Sequence, residues 1–409
     1  MLSEKLNLLA SFFLALQTCS TAPATQPAAP TMPPPPPTAA AAPAIVVGAE
    51  RLAEYLPQLK GQRVGLVVNQ TSLVGRAHLV DTLRARGVNV TAIFAPEHGF
   101  RGEAADGATI KDGRDARSGV AVRSLYGKSK KPTPEMLADV DVLVFDIQDV
   151  GARFYTFIST LHYVMEAAAG QGKSVLVLDR PNPHGAEVDG PIMEPAHKSF
   201  VGLDPLPIVH GLTVGELANM INKEKWLAGG QQCRLTVVPL APGYTHALPY
   251  ALPVRPSPNL PTARAVALYP SVCLLEGTNV SVGRGTELPF EVVGAPTQPA
   301  TRPYAFTPRP NAGSPTPPLN GKLCYGLNLH EPAPGEPQGF TLKYLIDFYQ
   351  QSTDKANFFS KYFVQLTGTA TLRQQVIAGK PEADIRASWE PGLGRFKELR
   401  KKYLLYPEQ

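Results

Sequence analysis

From residue 62 onward, short runs of Val, Leu, Ile and Phe alternate with longer stretches in which apolar residues recur every three or four positions. The runs predict strands over 63–69, 88–95, 121–125, 141–147 and 174–178, and the amphipathic stretches predict helices over 77–86 and 155–171. The strands are almost continuously apolar rather than alternating. Both faces of their sheet should therefore be covered, as in the parallel sheet of a doubly wound α/β fold. After a proline-rich joint at 249–261 the pattern changes. A helix is expected over 263–275, strands over 288–293 and 323–329, and helical segments over 342–351, 355–363 and from 371 to the end. A loop holding eight prolines, at 296–318, separates the two strands.

The first 44 residues follow neither period. Their longest apolar run, residues 8–16, is too short to span a membrane and suits the core of a signal peptide. Leu16 stands three positions before Cys19, so residues 1–19 resemble a bacterial lipoprotein signal with Cys19 as the acylated residue. Thr18 and Glu4 depart from that pattern. Apart from Met32, residues 20–44 are built from Ser, Thr, Ala, Gln and Pro, and they hold nine of the 42 prolines of this 409-residue chain. Such a segment cannot bury enough apolar surface to fold, and its prolines favour an extended spacer of about 3.1 Å per residue. The expectation is a periplasmic or secreted protein anchored to a membrane through Cys19. The residues left after the spacer exceed what one core usually serves, so two domains are expected, at 45–260 and 261–409.

Composition narrows the chemistry. With 44% hydrophobic and 18% charged residues, the body is that of a globular protein. Its net charge of +5 is mild, and Lys and Arg cluster only briefly, at 128, 130 and 131 and at 400–402, so no nucleic-acid footprint is indicated. Apart from Cys19 there are three cysteines, Cys233, Cys273 and Cys324, which allow at most one bridge and are expected as buried thiols. No Cys-x-x-Cys occurs, which removes zinc ribbons and thioredoxin-like redox chemistry.

In open parallel sheets ligands bind at the carboxyl ends of strands, so the residues after each strand are the ones to read. Here they are polar: Asn69 to Ser72, then Pro96-Glu97-His98-Gly99, then Asp146 to Tyr155, then Asp179 to Pro183. The chain lacks Gly-x-Gly-x-x-Gly after its first strand, a Walker Gly-x-x-x-x-Gly-Lys and a Gly-x-Ser-x-Gly elbow, and Glu97-His98 alone does not give the spacing of a zinc helix. No cofactor or metal is therefore expected. Carboxylate chemistry remains. Glycoside hydrolysis needs a protonated carboxylic acid at the leaving oxygen, and Glu97, following an apolar strand and Pro96, is placed for that role or for an ion pair with an arginine.

The stretches GLVVNQTS (65–72), FAPEHGFRGEA (94–104), VLVFDIQDVGARFYTFISTL (142–161) and VLDRPNP (177–183) resemble the exo-β-N-acetylmuramidase (NamZ-like) family. So do PIVHGLTVGELA (207–218), SPNLPT (257–262), ALYPSVCLLEGTNVSVGRGTELPFEVVGAP (267–296) and WEP (389–391). The resemblance implies a Rossmann-like, doubly wound N-terminal domain and a smaller α+β C-terminal domain, with a cleft between them. It also implies removal of N-acetylmuramic acid from the non-reducing ends of peptidoglycan fragments, that is, of saccharides alternating muramic acid and glucosamine. Glu97 is then the natural general acid. Asp146, Asp149 and Glu276 are open as its partner, and a substrate-assisted mechanism would need none. Muramic acid carries a lactyl carboxylate, for which Arg153, Arg180 and Arg284 are candidates, each alternatively a fold-holding ion pair. Tyr155 suits stacking on a sugar or the core. His98, His210, Asn69, Gln148, Asn259 and Asn279 suit hydroxyl or acetamide hydrogen bonds, and Asp179 lies on the same rim. The competing reading is a non-catalytic, muropeptide-binding envelope protein that keeps the cleft.

Overall fold

The almost uninterrupted apolar runs form a seven-stranded sheet in the computed structural model, which describes residues 45–101, 112–127 and 129–409. The signal segment with Cys19, the spacer, residues 102–104 of the FAPEHGFRGEA stretch and Lys128 lie outside the described residues. In chain order the strands are β1 (Val64–Val68), β2 (Leu73–Val74), β3 (Ala77–His78), β4 (Val90–Ala95), β5 (Gly113–Arg114), β6 (Ala121–Ser124), β7 (Val142–Asp146), β8 (Ser174–Leu178) and β9 (Arg234–Val238). β2 and β3 make a separate hairpin. The others line up as β5-β6-β4-β1-β7-β8-β9, all parallel except the edge pair β5 and β6. The strand order reverses at β1, with β4 on one side and β7 on the other, and the crevice beyond their carboxyl ends is where such sheets bind ligands.

Side chains on successive positions of a strand point to opposite faces, and here both faces are buried. Val67, Phe94, Leu143, Phe145, Val175 and Val177 enter one core, while Val64, Leu66, Val68, Ile93, Val144 and Leu176 enter the other. Helices α1 (Leu52–Leu59) and α2 (Leu79–Ala85) cover the second face through Tyr55, Leu59, Leu79 and Leu83. Helices α3 (Phe157–Gly170) and α4 (Val214–Lys223) cover the first through Leu161, Met165, Leu217 and Ile221. At about 25 cal/mol per Å² of apolar surface removed from water, this two-sided burial is what fixes the sheet.

Most of the rest of the chain packs on the α3 side, while Tyr406 joins the core on the α1 side. Helix α5 (Ala263–Val272) runs into a tight 3₁₀ turn at Cys273–Gly277, followed by a small antiparallel sheet of β10 (Val292–Ala295), β11 (Tyr304–Phe306) and β12 (Cys324–Asn328) in the order β10-β12-β11. Helices α6 (Lys343–Gln351), α7 (Tyr362–Thr367), α8 (Thr371–Ile377) and α9 (Glu382–Lys401) complete it. Tyr269, Phe290, Phe348, Phe363 and Trp389 join the same apolar cluster as the α3 face of the sheet. Residues Ile45–Gln409 thus form one compact unit. Cys233, Cys273 and Cys324 are buried free thiols.

Several elements differ from the pattern-based expectation. The helix expected over 355–363 forms only from Tyr362, because residues 358–360 pair instead with 277–279: Asn279 donates to the Phe358 carbonyl (2.8 Å) and Ser360 to that of Gly277 (2.9 Å). The strand expected from 288 begins at Val292, since Phe290 turns into the left-handed region at φ 63°. The segment from 371 breaks into α8 and α9 at Pro381, which caps the second helix. Helices α1 and α4 and strands β9 and β11 had no counterpart in the sequence reading.

Candidate active site

Glu97 leaves the end of β4 on a turn closed by the Gly99 amide donating to the Pro96 carbonyl (3.0 Å), with His98 left-handed at φ 65°. The turn holds the glutamate half-buried at the strand-order reversal, and the Thr156 hydroxyl, just before α3, donates to its Oε2 at 2.9 Å. Beside it lies a cavity of about 460 Å³ between the carboxyl edge of the sheet and the C-terminal part. Its wall draws on five separate regions, one of them the joint before α5 at Ser257 and Leu260. Glu97, His98, Phe154, Tyr155 and Thr156 come from the strand ends, Tyr126 and Lys130 from the loop after β6, Ser199, Phe200 and Val201 from the loop before α4. Tyr269, Cys273, Glu276, Arg284, Phe290, Tyr362 and Gln365 come from the C-terminal part.

Of the residues read from sequence, five meet in this wall: Glu97, His98, Tyr155, Glu276 and Arg284. Glu276 sits at the end of the 3₁₀ turn, where the Arg284 guanidinium donates to its Oε1 (2.6 Å) and the Cys273 thiol reaches its Oε2 (3.4 Å). Burial pushes the Cys273 thiol well up, with the Glu276 carboxylate adding to the effect. Gly283 and Gly285, both at φ 80°, make the turn that brings Arg284 round; a Cβ at Gly283 would lie 2.7 Å from the Leu288 carbonyl oxygen. Tyr155 donates its hydroxyl to the Pro256 carbonyl (2.8 Å) and packs edge-on against Phe157 and Tyr269, so its ring is a wall rather than a free platform.

The remaining candidates lie behind the wall, bonded into the fold. Asp146 and Arg180 form a buried two-point ion pair, Nε to Oδ1 at 2.6 Å and Nη2 to Oδ2 at 3.0 Å. Arg153 is fully buried and has no carboxylate partner among the described residues; it donates to the carbonyls of Pro191 (3.0 Å), Leu206 (2.6 Å) and Leu366 (2.9 Å), and burial pushes its pKa down to about 9. Asp149 accepts from the Gly151 amide (2.7 Å), and His210 Nε2 lies 3.3 Å from the same oxygen, off the direction of a hydrogen bond. Gln148 donates to the Asp149 and Pro181 carbonyls, and Asn69 accepts from Thr71. Asp179 caps α4, Asn259 donates to the Gly313 carbonyl (3.0 Å), and the Asn279 amide pairs with Phe358. None of these ten enters the cavity wall: most hold the strand ends, while Asn259 and Asn279 bond to Gly313 and Phe358 of the C-terminal part.

Missed by the sequence reading were Tyr126, Lys130, Thr156, Ser199, Phe200, Tyr269 and Gln365. Thr156 and Tyr269 fall inside motif stretches already singled out. The Tyr126–Lys130 and Ser199–Val201 loops carry no local pattern, and only the fold brings them to Glu97. No group of three or more His, Cys, Asp or Glu able to hold a metal occurs among the described residues.

Two glutamates and a set of hydroxyls and rings around a cavity at the sheet's switch point are the equipment of a glycoside hydrolase on an α/β scaffold. Comparison with known proteins agrees. Residues 64–264 match the model of the N-terminal part of exo-β-N-acetylmuramidase NamZ, and residues 267–406 that of its C-terminal part. The chain belongs to the NamZ family. The peptidoglycan β-N-acetylmuramidase NamZ of Bacillus subtilis (strain 168) is 40% identical over 395 aligned residues, covering 89% of this chain and 92% of the relative. Among solved structures, two DUF1343 family proteins of Bacteroides fragilis NCTC 9343 share the fold. One has a TM-score of 0.83 at 44% identity over 90% of this chain and all of its own; the other has 0.75 at 31% over 88% and 99%.

Proposed function

We propose that this chain is an exo-acting β-N-acetylmuramidase that releases N-acetylmuramic acid from the non-reducing ends of peptidoglycan fragments in cell-wall turnover. The observation that carries the reading is Glu97, half-buried at the switch point of the sheet in a cavity it shares with Glu276, in a chain 40% identical to a peptidoglycan β-N-acetylmuramidase. Glu97 acts as general acid. Thr156 occupies its Oε2, leaving Oε1 to carry the proton delivered to the glycosidic oxygen. Glu276, oriented by Arg284 and Cys273, is the second catalytic group. Asp146 is tied in its ion pair and Asp149 accepts a backbone amide, and neither lines the cavity, which favours Glu276 over both.

The test is Glu97→Gln, which keeps the shape and the Thr156 contact but has no proton to give. General acid catalysis contributes about 10²–10⁴-fold. Cleavage of a muramic acid–glucosamine disaccharide should fall by that factor, whereas a nitrophenyl muraminide, whose leaving group needs little protonation, should lose much less. Wild-type disaccharide turnover by the variant would sink the assignment.

For the N-terminus we propose export, with Cys19 lipidated and residues 20–44 spacing the enzyme from the membrane. The apolar run at 8–16 and Leu16 three positions before Cys19 support this. Mass spectrometry of the mature protein should find an acylated N-terminal Cys19, and an unmodified peptide spanning that position would reject the anchor.

A further inference from the structure

The cations that the sequence offers for the substrate's carboxylate are engaged elsewhere: Arg153 with carbonyls, Arg180 with Asp146, and Arg284 with Glu276. Among the described residues the cavity wall holds one more cation, Lys130. Its ammonium lies 4.0 Å from the centroid of the Phe200 ring and 5.4 Å from that of Tyr126. Among the described residues it makes no ion pair.

Nor is that ammonium needed to hold its loop. The next residue, Lys131, is locked to Glu166 of α3 at 2.6 Å, and the other oxygen of Glu166 accepts from the Ala228 amide at 2.7 Å. Ser129 closes the turn onto the Lys131 carbonyl. Phe200 is in turn supported by Tyr163, stacked at 6.1 Å with an interplanar angle of 10°. An ammonium resting on an aromatic face, inside a cavity and on a loop fixed by its neighbour, is preset for an anion. The ring contact orients it without neutralising it.

We propose that Lys130 and Phe200 form the subsite for the lactyl ether of the terminal muramic acid, with the ammonium receiving the carboxylate and the ring receiving the lactyl methyl. This rests on the muramidase reading above. The lactyl group joins a methyl and a carboxylate on one carbon, and the Lys130–Phe200 pair presents an apolar face and a cation side by side. N-acetylglucosamine lacks both groups, so the pair sets preference between the two sugars of the polymer. A charge-assisted contact of this kind is the strong class of hydrogen bond.

The experiment compares nitrophenyl N-acetylmuraminide as the free acid, as its lactyl methyl ester and as its lactyl peptide amide, on wild type and Lys130→Met. Wild type should prefer the free acid. The variant keeps the packing on Phe200, and its free-acid to ester ratio of kcat/KM should fall about ten- to hundredfold, mostly through KM. Lys130→Arg should restore part of the ratio. Because the readout is a ratio within one protein, partial loss of folded enzyme does not move it; if Lys130→Met yields no folded protein, Lys130→Gln is read in the same way. An unchanged ratio would overturn the proposal while leaving the muramidase reading intact. A loss confined to the peptide amide would overturn it in favour of a stem-peptide carboxylate. Failure of wild type to cleave any of the three would overturn the muramidase reading, and the subsite with it.

Discussion

Asp146 and Asp179 end neighbouring strands, and both are fully buried, yet they meet the cost of burial in opposite ways. Asp146 takes a guanidinium at two points, so its charge is balanced where it stands. Among the described residues Asp179 has only neutral donors: the Arg180 and Gly215 amides on Oδ1, and the Thr213 and Tyr406 hydroxyls on Oδ2. Burial, and then the Glu216 carboxylate, push its pKa up to about 6 from the ordinary 3.8, against the pull of those donors. A carboxyl with a raised folded pKa binds its proton more tightly when folded. Its stabilising contribution is present below pH 3.8 and is lost as pH rises through about 6. At 1.36 kcal/mol per unit the change is about 3 kcal/mol. The unfolding free energy of wild type relative to Asp179→Asn, from denaturant titrations, should fall by about that much between pH 3.5 and pH 7.5. A difference independent of pH would mean that the four donors offset burial and leave the carboxyl of Asp179 at its ordinary pKa.

At the scale of elements, what the sequence revealed followed from how local the cause was. Strands β1, β4, β7 and β8 were legible because burial on both faces demands an unbroken apolar run, and nothing outside the run is needed to see it. Helix α4 was legible in principle. Thr213 and Glu216 are a T-x-x-E capping box, with the Glu216 amide donating to the Thr213 hydroxyl (3.3 Å) and Glu216 Oε2 accepting from the Thr213 amide (2.8 Å). Residues 355–363 were not, because Phe358, Phe359 and Phe363 have a spacing that suits a helix, while the partner that extends the first two is the distant segment 277–279. The site divides in the same way. Glu97 could be found from the rule that ligands sit at strand ends, a property of its own strand. Lys130 and Phe200 could not, because they sit on loops that only tertiary packing brings together. Among the arginines, composition and spacing do not distinguish a side chain aimed into the cavity from one bonded behind it, and only the acceptors decide.

Across the whole molecule the position of the cavity walls depends on Arg153. It sits on the strand-end segment beside Glu97's partner Thr156, and its backbone amide donates to the Ile208 carbonyl (2.8 Å). Its guanidinium holds the loop before α4 at Pro191 and Leu206, and the C-terminal part at Leu366 of α7. That loop supplies Phe200 to the cavity, and α7 supplies Gln365 and Leu366. The fit around the guanidinium is close: a Cβ at Gly368, which is left-handed at φ 69°, would stand 2.9 Å from Nη2. Arg153→Met keeps much of the volume but takes the guanidinium from the buried Pro191 and Leu366 carbonyls, each costing about 1–3 kcal/mol, whereas the Leu206 carbonyl keeps the Met193 amide (3.0 Å). Denaturant unfolding of that variant should show a loss of at least about 2 kcal/mol. Disaccharide cleavage should also fall, since Glu97 stays on the sheet while the facing wall is released. Arg153→Lys should recover little, because a single ammonium does not reproduce the planar fork that reaches carbonyls on both loop and helix. Unchanged stability and turnover in Arg153→Met would show that the shared apolar core alone sets the distance between the two walls, and that the buried cation contributes nothing to it.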